Sequence, residues 1–164
     1  MKKRLNQGFT LLELLVVICV LGIILAFGIG GILREQRVQQ LRQVQTQLAT
    51  DIERARSLAR RYSYDYRGTM TISTGVYVFE PINFAGTVVT GVPTVSGKLT
   101  APIKIMSTTP SATTSLVFGY TGPFGRLSGA PSVSIQIGFG TGQLKTAVDM
   151  IGVTGQVIRR GISE

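Results

Sequence analysis

The sequence predicts an α+β protein, a long N-terminal helix with an antiparallel β-sheet packed on part of it, and three observations carry that prediction. An apolar run from Phe9 to Leu33 passes directly into a polar stretch, Arg34 to Arg61, that contains neither glycine nor proline. From Arg67 onward the composition turns to glycine, threonine, serine and valine, with turn residues punctuating β-favouring segments. The gaps between those segments are too short for crossover helices, so antiparallel hairpins are the natural connection.

The first element is the apolar run. Its 25 residues would form a helix of roughly 38 Å, enough to cross a hydrocarbon core of about 30 Å with some tilt. Lys2, Lys3 and Arg4 precede it, which puts the N-terminus in the cytoplasm and the rest outside. Glu13 is the one carboxylate in the run, and it costs on the order of 2.5–3.5 kcal/mol there unless something offsets it. A secretory signal peptide is the alternative reading, with Ala26-Phe27-Gly28 as its cleavage site. Against it, the run is longer than a signal needs and leads into a second helix instead of a turn-rich start.

The second element is amphipathic. Val38, Leu41, Val44 or Gln45, Leu48, Ile52, Ala55 and Ala59 recur at three- and four-residue spacing, one apolar stripe on a polar helix. Joined to the first, it makes a helix of about 53 residues and roughly 80 Å. A compact domain of this size cannot contain it, so half of it is expected to protrude. Gly28, Gly30 and Gly31 near the junction each cost about 0.5–1 kcal/mol relative to alanine, which makes a loosening point there. Small residues also permit close helix packing in lipid.

The remaining elements are strands, expected at Thr69–Glu80, Ile103–Thr108, Ser115–Tyr120, Ser132–Phe139, Gln143–Ile151 and Gly155–Arg160. Pro81–Pro102 reads as a long loop or an irregular hairpin. One sheet covering the stripe of the 34–61 helix gives each its buried face.

Composition limits the function. Hydrophobic residues make up 44% of the 164 and charged residues only 15%, a balance that points to apolar surface meant for lipid or a partner. Seventeen Lys+Arg against eight Asp+Glu give +9, which favours anionic partners such as phospholipid headgroups or nucleic acid. With one cysteine, Cys19, and no histidine, no intramolecular disulfide, Cys/His zinc site or histidine-based triad can form. No motif sets two carboxylates across a substrate. No catalytic residue, cofactor or metal is expected, and the chain is read as a non-enzyme.

The segments "KKRLNQG" and "FTLLELLVVICVLGIILA" together resemble the class III signal of type IV pilins and pseudopilins. They combine a short basic leader ending in Gly8, Phe9 as the next residue, and Glu13 at the fifth position after that glycine. The resemblance implies a leader of residues 1–8 cut by a prepilin peptidase between Gly8 and Phe9, with methylation of the new N-terminus. It implies a transmembrane and filament-core helix over 9–33, an amphipathic helix over 34–67 and a β-sheet domain over 68–164. The implied partners are the peptidase, other pilin subunits, the inner-membrane assembly platform and lipid before assembly. The implied location is the bacterial inner membrane, single pass, with the globular domain periplasmic or extracellular. Cleavage also supplies a partner for Glu13, because the freed amine of Phe9 on one subunit can meet the carboxylate of its neighbour in low dielectric. It removes three cations, so the charge falls from +9 to +9 − 3 = +6.

Major pilins commonly carry a helix-breaking proline where this chain reads "FGIGG" and often close a C-terminal disulfide loop; both are absent, which favours a minor pilin or pseudopilin. The order "LVFGYTGPFGRLSG", "SVSIQIGFG", "LKTAVDMIGVTGQVIRRG" resembles the GspH/FimT branch. Some members of that branch bind DNA through a Gly-Arg-x-Arg tail, and Gly155-Gln156-Val157-Ile158-Arg159-Arg160 departs from that pattern. The alternative function is therefore DNA contact through Arg159 and Arg160, with Lys145 and Arg126. Arg42, Arg54, Arg56, Arg60 and Arg61, interspersed with Asp51 and Glu53, read as a solvated or subunit-facing surface.

Overall fold

The computed structural model describes residues 10–140, 144–152 and 154–163, without the side chains of 25–30. Gly8 and Phe9 lie outside the described residues. The chain forms two compact units, Met1–Arg37 and Val38–Glu164, and the helix α1 (Leu11–Tyr62) contributes to both. In the first unit the described apolar side chains are all exposed, Leu11 by 84% and Ile24 by 62%. Among the described residues no helix is long and apolar enough to cross a membrane. The expected span over 9–33 includes Phe9 and the side chains of 25–30, which lie outside the description.

In the second unit the stripe of α1 is buried as its spacing requires: Leu41, Leu48, Ile52, Ala55 and Ala59 have no exposed surface. Val44 and Gln45, between which the periodicity leaves a choice, are both buried. The helix ends at Tyr62, Ser63 takes a left-handed conformation (φ 57°), and strand β1 (Asp65–Thr71) starts at once, so helix does not extend to residue 67.

The β region corrects the single-sheet expectation. Strands β1, β2 (Val76–Ile82), β3 (Val95–Lys98), β5 (Ser115–Thr121) and β6 (Arg126–Ser128) form one sheet in the order β3-β2-β1-β5-β6. Strands β4 (Ile103–Thr109), β7 (Ser132–Phe139), β8 (Lys145–Ile151) and β9 (Val157–Arg159) form a second, in the order β4-β7-β8-β9. All neighbours are antiparallel, as the short connections demand. The strand expected over Thr69–Glu80 is two strands, turning through residues 72–75 with Gly75 at φ 67°. Pro81–Pro102 holds β3 within its irregular course.

The core joins both sheets to the one helix. Tyr66, Met70, Tyr77, Phe79, Leu116 and Phe118 come from the five-stranded sheet, and Ile135, Ile137, Val148 and Met150 from the four-stranded one. Phe79 and Phe118 lie on either side of Gly68 in one cross-strand row, and their rings meet edge to face at 5.5 Å. A Cβ on Gly68 would come 2.5 Å from the Phe79 ring, so the missing side chain makes that aromatic contact possible.

Candidate functional site

The start of α1 explains part of Glu13. Thr10 is the residue before the helix; its Oγ1 accepts the Glu13 N–H at 3.2 Å and its carbonyl accepts the N–H groups of Glu13 and Leu14. Thr10-Leu11-Leu12-Glu13 has the spacing of a capping box, and a carboxylate in the first turn lies at the favourable pole of the helix dipole. Glu13 is exposed and thus accessible to a partner. Thr10 is the residue that the sequence reading passes over, although the T-x-x-E spacing carries the signal.

The four basic residues grouped for DNA contact are divided. Arg126 is on β6 of the five-stranded sheet, its guanidinium 5.6 Å from the Phe124 ring centre. Arg159 ends β9 and reaches back to α1, donating to Thr46 Oγ1 at 3.2 Å. Arg160 forms an ion pair with Asp149. Lys145 and Arg160 line one small hollow of about 90 Å³ with Gln136 and Thr146. The chain therefore brings Lys145 and Arg160 together and sends Arg126 and Arg159 elsewhere.

Arg56 departs from the reading of the helix arginines as a solvated or subunit-facing surface. It donates from Nε to the Gly125 carbonyl (3.2 Å), from Nη2 to the Thr154 carbonyl (2.6 Å) and from Nη1 to Glu53 (3.2 Å). Glu53 in turn accepts the Val157 N–H at 3.1 Å. Gly125 lies in the β5–β6 turn and Thr154 in the β8–β9 turn, so one helical side chain ties together the ends of both sheets. Gly155, at φ 63°, packs directly on the Gly125 carbonyl, where a Cβ would overlap it. Arg42, Arg54, Arg60 and Arg61 are exposed.

Gln45 makes the second tie. Its Nε2 lies 2.8 Å from Thr146 Oγ1, 3.0 Å from the Ala147 carbonyl and 2.8 Å from the Arg160 carbonyl, and Thr146 Oγ1 donates to that last carbonyl too. The Ala147 carbonyl also accepts the Arg160 N–H, so both carbonyls keep a donor if the amide is removed. Gln45→Leu should accordingly destabilise by about 1–2 kcal/mol, less than an orphaned carbonyl would cost, with unfolding midpoints in urea as the measure.

The buried phenols shift together. Burial raises the pKa of Tyr77 and, next, its hydrogen bond to Asp51 (2.6 Å) raises it further; burial raises Tyr120 and Tyr66. A raised phenol favours the fold while it is neutral in both states. That contribution is complete below about pH 10, the pKa of an unfolded tyrosine, and is lost as pH rises toward the folded values. Thermal unfolding followed against pH should show stability falling above about pH 10.

Among the described residues no group of three or more histidine, cysteine, aspartate or glutamate side chains is placed to hold a metal, and Cys19 is free and exposed. No curated protein and no solved structure gives a significant match to the chain. Residues 3–29 match the family model of the prokaryotic N-terminal methylation motif. That segment contains Gly8, Phe9 and Glu13, and the match supports a type IV pilin-like protein, a pilus or pseudopilus subunit that undergoes prepilin processing and is membrane-anchored or filament-borne.

Proposed function

We propose that the chain is a minor pilin or pseudopilin of the GspH/FimT kind, a non-catalytic subunit of a type IV pilus or a type II secretion pseudopilus. It enters the inner membrane with its N-terminus in the cytoplasm, is cut after Gly8, and joins the filament through its N-terminal helix. The observation that carries this reading is the methylation motif over residues 3–29 with Glu13 in the first turn of the helix behind it. The exposed apolar side chains of the first unit are the surface such a helix would bury against lipid and then against other subunits. The test is the fate of the chain in cells with and without the peptidase. With it, a shortened chain should appear in sheared filament or pseudopilus material. Without it, only the uncut form should be found, confined to the membrane; uncut chain in filaments would contradict the reading.

A second reading, DNA contact during uptake, draws on the net charge and on Lys145 and Arg160 lining one hollow. Asp149 opposes it by neutralising Arg160. Gel shift of the full chain against Lys145→Ala/Arg160→Ala, at low and raised salt, checks it: loss of a salt-sensitive shift in the double variant supports the contact, and an unchanged shift removes it.

A further inference from the structure

The end of the second unit where α1 stops gathers a different set of residues. Three segments meet there: 60–65 after the last helical turn, 82–84 at the end of β2, and 122–126 between β5 and β6. They approach one another closely. Asp65 Oδ1 accepts the Gly122 N–H at 2.9 Å, and a Cβ on Gly122 would lie 2.5 Å from the Ser63 carbonyl carbon. A Cβ on Gly125 would lie 2.8 Å from Arg60 Cγ. Tyr64, Phe84 and Gly122 border one hollow of about 120 Å³.

Every exposed aromatic side chain among those described is at this end: Tyr62 and Tyr64, each 37% exposed, Phe124 at 69% and Phe84 at 109%. The other described aromatics are buried. A fully exposed phenylalanine gains nothing for the fold, and four exposed rings in one region exceed ordinary surface scatter. Cations are interleaved with them. The Arg61 guanidinium lies 5.6 Å from the Tyr62 ring centre and Arg126 stands at the same distance from Phe124, while Arg60 is exposed beside the Gly125 turn. The carboxylate within the group, Asp65, is engaged by a backbone N–H.

We propose that this end of the domain binds single-stranded nucleic acid, with unpaired bases stacking on Phe84, Phe124 and Tyr64 and phosphates meeting Arg60, Arg61 and Arg126. Rings alone would suit any flat apolar group, and arginines alone any polyanion. A single strand offers both at once, a π-face on every base and a charge on every phosphate, in a spacing that separate rings with cations between them can follow. A duplex hides its base faces and would use only the cations. The site rests on the second unit alone and is distinct from the filament reading and from Lys145 and Arg160.

The experiment is fluorescence anisotropy of the full chain in detergent micelles with a labelled oligo-dT strand, an abasic strand of the same length, and a blunt duplex, across a salt series. The oligo-dT strand should bind at least roughly tenfold more tightly than the abasic one, and Phe84→Ala/Phe124→Ala should weaken it at least roughly tenfold toward the abasic level. Arg61→Ala/Arg126→Ala should lower the slope of log affinity against log salt by about 1.4, or about 0.7 for each phosphate no longer neutralised. Both phenylalanines are exposed, so their truncation leaves the fold intact, as circular dichroism would verify. Equal affinity for oligo-dT and abasic strands, an unchanged affinity in the phenylalanine variant, or no binding at all would overturn the proposal. Loss of oligo-dT binding in Lys145→Ala/Arg160→Ala with the phenylalanine variant unaffected would move nucleic-acid binding to the other surface and overturn it equally.

Discussion

Arg56→Ala should cost the domain about 3 kcal/mol of unfolding free energy, more than the loss of a single surface charge would suggest. An exposed ion pair contributes little, and the pairing with Glu53 alone would deserve that low figure. The larger part comes from the Gly125 carbonyl. Thr154 is exposed and water can replace the guanidinium there, but Gly125 is buried and Gly155 lies on its carbonyl, so that oxygen would lose its donor without gaining water. Tyr120, whose buried hydroxyl has no hydrogen-bond partner, feels the charges of Glu53 and Arg56 and makes no hydrogen bond to that carbonyl. Arg56→Lys should recover little, because one ammonium cannot reach three acceptors in three directions. Gly155→Ala acts on the same contact from the opposite side. Its effect and that of Arg56→Ala should therefore add to less than their sum, a coupling that a double-mutant cycle in urea would read. Strict additivity would show that the two residues act independently.

The Glu13→Ala chain should enter the membrane as well as or better than the parent and yet appear in filaments at least roughly tenfold less. Insertion improves because an acid in the apolar run is unfavourable by on the order of 2.5–3.5 kcal/mol. On the proposed reading, incorporation fails because the carboxylate would be the partner of the freed amine of Phe9; removing a pairing of about 2 kcal/mol already exceeds tenfold in an equilibrium. The capping arrangement supplies the control. Thr10→Ala removes the Oγ1 that accepts the Glu13 N–H, at about 1 kcal/mol of local helix stability, but keeps the charge. If the carboxylate serves assembly, Thr10→Ala should incorporate far better than Glu13→Ala, and Glu13→Gln should fail with Glu13→Ala. Equal defects in the threonine and glutamate variants would reduce Glu13 to a helix-start residue. Quantitative immunoblots of membrane and sheared fractions are sufficient for the comparison.

The range of the forces involved decides which of these features are legible in the sequence. Strand β7 has the bounds that its alternation predicts, Ser132–Phe139, because a period-two pattern with one buried face is written in adjacent residues. The stripe on α1 is legible for the same reason at period 3.6. Strands β3 and β6 are four and three residues long, too short for any period, and they exist because longer neighbours offer them an edge. The division into two sheets depends on where β4 pairs, with β7 rather than β3 or β5, and nothing local in "IKIMSTT" states that. Arg56 looks like its neighbours Arg54 and Arg60 in sequence and differs only because two distant turns present carbonyls to it. The aromatic cluster is likewise assembled from three segments that are far apart in the chain. Local signals do carry the N-terminal motif, whose residues are contiguous.

Mass spectrometry of the chain recovered from its native membrane or filament, reading the first residue and its modification, tests the filament account most directly. Processing after Gly8 should leave a chain that begins at Phe9 with a methylated amine. A natural product that begins at Met1, or after Gly28, would leave Glu13 without that partner and contradict it.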